Sequence, residues 1–218
     1  MKLDGIAAFQ LQLARRARTQ QDGSLIEARD AFIRVLIGAF GSAPFFVFLG
    51  GAPHVVITLM GRSSAEYGLW FAVMSFGYMS GNFTVSRLSQ RFGIDALIVA
   101  GLVVELIGCV VTVALIATFK NATPALIFLP QLVVSYGNGL LMANSISGAI
   151  SIRPQAAGSA SGMAGFVQMS VGAASTQIVS FLLVGAATGL PMAWMAVAAI
   201  SLGCVAYVAL VRTPMRRE

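Results

Sequence analysis

The sequence has little charge, a single histidine and only two cysteines in 218 residues. Charged residues make up 10% of the chain, against about 25% in a soluble globular domain. That is too little polar surface to cover a molecule surrounded by water. Cys109 and Cys204 lie inside apolar stretches, where a free cysteine behaves as a small hydrophobe, so neither a disulfide nor a metal role is expected. Paired metal ligands, phosphate loops and dinucleotide fingerprints are absent, and with them any expectation of a metal, a cofactor or an ATP-driven mechanism. No apolar run precedes Arg15, Arg16 and Arg18 as a secretory leader would, so insertion is expected to be driven by the later apolar segments themselves.

What the chain does have is apolar length. Hydrophobic residues are 57% of the sequence and the mean hydropathy is +0.84. A helix needs about 20 mainly apolar residues to cross the hydrocarbon of a bilayer. Six stretches qualify, at roughly 33–57, 65–86, 94–118, 124–149, 157–184 and 190–211. Turn residues separate them: Gly61-Arg62-Ser63-Ser64, Arg91-Phe92-Gly93, Lys120-Asn121, Arg153-Pro154 and Gly189-Leu190-Pro191. The 23 glycines run through these stretches, as in membrane helices that approach closely because lipid supplies no hydrophobic drive for association. The expected fold is an all-α membrane protein of six transmembrane helices. Residues 1–30 are a leading segment, 31–212 the transmembrane domain and 213–218 a tail.

A net charge of +6 and a pI near 10 also fit nucleic-acid binders. Here the basic residues sit between apolar segments and at both ends, which makes them topology signals, so no nucleic acid is expected. With the amino terminus inside, every Lys and Arg except Arg62 and Lys120 falls on the cytoplasmic side. Both termini are therefore placed in the cytoplasm, with the chain in a bacterial inner membrane. In residues 1–30, Leu3, Ile6, Phe9 or Gln10, and Leu13 recur at helical spacing ahead of a basic cluster. Two readings stay open, an amphipathic helix on the anionic leaflet and a solvated linker containing the polar run Thr19 to Ser24.

Two stretches carry a family resemblance. Phe45-Phe46-Val47-Phe48-Leu49-Gly50-Gly51-Ala52-Pro53-His54-Val55-Val56, followed by Tyr67-Gly68-Leu69-Trp70-Phe71, resembles helices 7 and 8 of drug:proton antiporters. The group is that of bicyclomycin and chloramphenicol resistance in the major facilitator superfamily. Pro130, Gly137-Asn138-Gly139, Asn144 and Ala157-Gly158-Ser159-Ala160-Ser161-Gly162 are similar to helices 10 and 11 of the same group. Arg87-Leu88-Ser89-Gln90-Arg91-Phe92-Gly93 is similar to the superfamily's cytoplasmic loop signature, but only Arg91 and Gly93 match it. Gln90 stands where an Asp is expected, which puts the loop's gating role in doubt. The resemblance covers about residues 31–212. It implies the carboxy-terminal half of a twelve-helix transporter, a bundle of two inverted three-helix repeats, with residues 1–30 as the linker from a first half. No counterpart of that first half is found here, so a missing six-helix half or a second chain is an expected partner.

Polar groups at bilayer depth usually face the bundle or a watery cavity. In the fourth span Gln131, Ser135, Asn138, Met142 and Ser145 share a face, and in the second Tyr67, Phe71, Met74, Tyr78 and Asn82 do so. In the fifth, Ser161, Gly165, Gln168, Gly172 and Ser175 form a third stripe. A pathway lined by aromatics, Met, amides and hydroxyls suits small amphipathic organic substrates. Tyr78, Asn82, Gln131, Ser135, Asn138 and Gln168 are the candidate pathway residues. The competing reading of all three stripes is interhelical glue, favoured for the Gly-rich third.

Glu105 is the one carboxylate in mid-span, on a stripe with Gly101, Gly108, Cys109 and Thr112. The sharper reading makes it the proton-coupling site, the blander one a structural or tolerated group. Arg87 and Arg91 read as topology anchors, His54 as interfacial, and Asp95 as the cap of the third span. The function implied is proton-coupled efflux of small organic compounds by a transporter half-unit. The alternative is a truncated, non-transporting remnant or a membrane partner subunit. An enzyme is not expected. Gly158-Ser159-Ala160-Ser161-Gly162 superficially resembles an intramembrane serine protease motif, but His54, near a membrane edge, is the only available general base.

Overall fold

The computed structural model describes the backbone of residues 2–119, 123–152 and 157–211, and side chains from Leu25 onward within these except Ile26, Leu210 and Val211. The stripe Leu3 to Leu13, the breaks at Lys120-Asn121 and Arg153-Pro154, and the tail 213–218 lie outside the described side chains or residues. The described chain is helical throughout: α1 (Lys2–Pro53), α2 (Ser64–Phe92), α3 (Ile94–Phe119), α4 (Ala125–Ile152), α5 (Ala157–Leu182) and α6 (Leu190–Val211).

The helix ends follow from local chemistry. Pro53 has no N–H to donate, and the helix continues past it only as a wider π-helical turn, His54–Leu59, closed by Met60 N–H on the Val55 carbonyl. Ser63 caps α2 by accepting from the Glu66 amide at 3.1 Å, the Ser-x-x-Glu start pattern. Gly93 ends α2 at φ 78° and ψ 166°, a conformation essentially reserved for glycine.

Among the described residues, four helical stretches are long and apolar enough to cross a membrane: Glu27–Leu59, Ile94–Phe119, Ala125–Ile152 and Leu190–Ala209. This makes the chain an all-helical membrane protein. α2 and α5 have spanning length, with 29 and 26 residues, but are too rich in Ser, Thr, Gly and amides to qualify. Several of their hydroxyls bond back to their own helix, as Ser75 does to Phe71, Ser80 to Gly77, Thr84 to Ser80 and Ser180 to Thr176. That lowers the cost of carrying them away from water.

Packing centres on α1 and α4. α4 packs most closely on α3 and α2, α1 on α5 and α6, and α1 and α4 cross each other. Exchanging α1, α2 and α3 for α4, α5 and α6 leaves this pattern of neighbours unchanged. Gly38 and Gly41 of α1 meet Ser145 and Leu141 of α4 in descending order, so α1 and α4 run antiparallel. Glycine makes the crossings possible. A Cβ on Gly77 or Gly81 would collide with the backbone carbonyls of Leu132 or Tyr136, and one on Gly101 would sit 2.8 Å from the Gly137 carbonyl. The cores between helices are apolar: Val47, Phe48, Met74, Ile127 and Phe128 toward one end, and Ile37, Ile98, Leu102 and Leu141 toward the other.

Candidate functional site

Midway along α4 the packing opens into a cavity of about 390 Å³ between α1, α2, α4 and α5. Its wall is aromatic and thioether, from Phe45, Phe46, Phe71, Tyr78, Met74, Met79, Met142 and Met169. Ser42, Ser75, Ser135, Asn138 and Gln168 add a few polar groups, and no charged residue lines it. The volume lies in the range of small-molecule pockets, and the lining is of their kind, mostly apolar with a few polar groups to fix orientation.

Nearer the start of α4, outside that lining, rings gather around the fully buried Phe128. Trp70 stacks on it at 5.8 Å between centroids, and Phe48 and Tyr67 meet it edge-on at 5.2 and 5.8 Å. At the other end Arg34 of α1 donates from Nη1 to Asp95 Oδ1 of α3 at 2.7 Å, with its guanidinium laid against Gly148 of α4. Asp95, read from sequence as a helix cap, is therefore an ion-pair partner holding α1 to α3.

The structure divides the expected polar stripe of α4. All five residues are buried, but each meets a different part of α1. Ser135, Asn138 and Met142 line the cavity, and Asn138 donates from Nδ2 to the Gly41 carbonyl at 3.2 Å. Gln131 instead faces a small gap lined by Pro44, Phe48, Thr112 and Met192. Ser145 faces a second small gap beside Arg34. On α2, Phe71, Met74 and Tyr78 line the cavity, whereas Asn82 donates its amide to the Tyr78 carbonyl and is not part of the lining.

On α5, Gln168 lines the cavity with Nε2 3.6 Å from Met142 Sδ. Gly172 packs against the Phe46 ring, where a Cβ would lie 2.8 Å from ring carbons, and Ser175 is buried. Among the described residues, a Cβ on Gly158, Gly162 or Gly165 of the same helix would meet nothing within 4 Å. The glue reading therefore fits only the later half of that stripe.

Sequence reasoning missed Ser42, Ser75, Met79 and Met169, and valued Phe45 and Phe46 only for resemblance. The available signal was Ser42 one helical turn before Phe45 and Phe46 and beside Pro44, in an otherwise apolar run. Arg87 and Arg91 are exposed and lie over the rings of Phe83 and Phe92, at 5.2 and 5.5 Å from the centroids.

Glu105 is 0% exposed; the Asn138 side chain is the polar group beside it, although neither carboxylate oxygen makes a hydrogen bond of good geometry among the described residues. It lies at the closest approach of α3 to α4, where its Cγ would be 2.7 Å from a Cβ on Gly137. It does not line the cavity, but Asn138, the residue after Gly137, does. A further groove of about 260 Å³ between α1, α5 and α6 is apolar apart from Ser175, a lining with too few polar groups to orient a ligand. No family model and no curated protein matches the chain.

Proposed function

We propose that this chain is a half-unit of a secondary transporter, of the major facilitator type, for small amphipathic organic compounds. The observation that carries the reading is the uncharged, aromatic and Met-rich cavity halfway along α4, walled by α1, α2 and α5. On this reading all six helices cross an inner membrane with both termini cytoplasmic. The inverted likeness of α1–α3 to α4–α6 supports the three-plus-three plan common among transporters, which places substrate near the midplane.

Tyr78 and Met79, both exposed, line the cavity from α2, and Met169, also exposed, lines it from α5. These are the two helices too polar to qualify as lipid-facing spans. A second six-helix unit, either a separate half or another chain, would close the path there. Export is coupled to protons through Glu105, whose buried carboxyl sits behind Asn138 in the cavity wall.

The test is accumulation of small amphipathic aromatic compounds, the anion 2-naphthoate and the uncharged chloramphenicol among them, by everted vesicles containing the chain, with and without a proton gradient. Gradient-dependent accumulation that falls at least ten-fold in Asn138→Ala and Gln168→Ala supports the reading. Vesicles indistinguishable from empty ones would leave the chain a non-transporting membrane subunit. Full gradient-driven transport by Glu105→Gln would remove Glu105 from coupling while leaving the cavity assignment intact.

A further inference from the structure

The gap beside Arg34 has a chemistry that the cavity lacks. It is lined by Arg34, Val35, Gly38, Ala39, Met142, Ser145, Ile146, Ala164 and Gln168, and it shares Met142 and Gln168 with the cavity. These two flexible side chains, joined by one weak amide–sulfur contact, border both spaces. Inside the gap are two buried hydrogen-bond donors with no partner among the described residues, Arg34 Nε and Ser145 Oγ.

Ser145 is 1% exposed and the Arg34 side chain 15%. Ser151, six residues further along α4, returns its hydroxyl to the Gly148 carbonyl, whereas Ser145 makes no such bond. The arrangement is shaped by two glycines. A Cβ on Gly148 would press on Arg34 Nη1 at 2.9 Å, and one on Gly38 would meet Ser145 Cβ at 3.1 Å.

Buried donors demand acceptors, and an arginine fork matches a carboxylate or similar oxyanion. Asp95 engages Nη1 only, and its own side chain is 62% exposed. No acidic residue lines either space. The gap holds about 10 Å³, the room of one water-sized atom, and both donors are closed off at rest, so an anion's oxygen reaches them only as the flexible side chains around the gap shift. We infer that this gap is an anion subsite, and that the substrates are amphipathic monoanions. Their aromatic bodies occupy the cavity while an oxyanion rests on Arg34 and Ser145. The inference rests on the cavity being a binding site and goes further by fixing the sign of the ligand's charge.

Two probes differing only in that charge test it: 2-naphthoate and 2-naphthamide. Each is titrated into the chain in lipid nanodiscs with empty discs as blank, reading quenching of tryptophan fluorescence. Wild type is expected to bind naphthoate at least ten-fold more tightly than naphthamide. The ratio should fall toward one in Arg34→Gln, fall several-fold in Ser145→Ala, and rise in Asp95→Asn, which frees Nη1. Ser145→Ala removes only an unpartnered hydroxyl, so it decides the matter even where Arg34→Gln disturbs folding. A ratio near one in wild type, or one that neither Arg34→Gln nor Ser145→Ala moves, overturns the anion subsite and leaves the cavity standing. Failure of both probes to bind wild type overturns the cavity reading and this inference together.

Discussion

At the scale of single residues, Glu105 and Asn138 separate what holds the bundle together from what the bundle does. A charged group at the centre of a membrane helix costs about 2.5–3.5 kcal/mol on insertion scales, and Glu105 has only the Asn138 side chain beside it, in poor hydrogen-bond geometry, to offset that cost. An apolar side chain of similar shape removes two poorly partnered acceptors, a change that is neutral to stabilising. Glu105→Met is therefore expected to unfold in detergent at the wild-type temperature or above while losing proton coupling; a clear drop in unfolding temperature would make the carboxyl structural. Asn138 gives the opposite pattern. Its one interhelical bond, to Gly41, is of a kind contributing about 0.6 kcal/mol in membrane bundles. Asn138→Leu should cost roughly that in stability yet weaken ligand binding at least ten-fold. Equal and small losses in both would reduce Asn138 to glue.

At the scale of helices, close approach is set by where glycines stand, and the decisive contrast lies within α2. Gly77 lies against the Leu132 carbonyl of α4, while Gly68 meets nothing. An added methyl at Gly77 must push two backbones apart, since no side chain there can swing away, and overpacking costs about 1–3 kcal/mol. At Gly68 the same methyl only improves helix propensity, by up to about 1 kcal/mol. Thermal unfolding should show Gly77→Ala destabilised and Gly68→Ala unchanged or stabilised; the reverse order would mean α2 does not cross α4 there. Gly93→Ala, at φ 78°, is expected to cost about 1–3 kcal/mol by strain alone.

The helices themselves were legible because apolar length and turn residues are local signals. The shared faces of α2 and α4 were legible because helical periodicity is local too. How the α4 stripe is divided was not, because what Gln131, Asn138 and Ser145 meet depends on the course of α1, on Pro44 and on the crossing at Gly41. Arg34 read as a topology signal for the same reason: its partners, Asp95 and Gly148, are 61 and 114 positions away.

At the scale of the molecule, α2 and α5 stand apart from the other four helices. They carry exposed Leu69, Phe76, Met79 and Phe83, and Met163, Phe166 and Met169. Between these lie small and polar residues that give lipid little reason to cover the surface. Gly158 and Gly162 repeat the small-xxx-small spacing that lets membrane helices touch, and both face open space. A side chain begun at these positions meets no described residue within 4 Å of its Cβ, so Gly158→Leu with Gly162→Leu should leave thermal unfolding of the single chain unchanged. If a second unit seats on this face, the same pair of substitutions should abolish its association, read as mass in nanodiscs or by cross-linking in membranes. Transport should fail in step with association while probe binding to the isolated cavity persists. Association that survives both leucines would place the partner elsewhere, and an unpaired chain that transports at the full rate would show that six helices suffice.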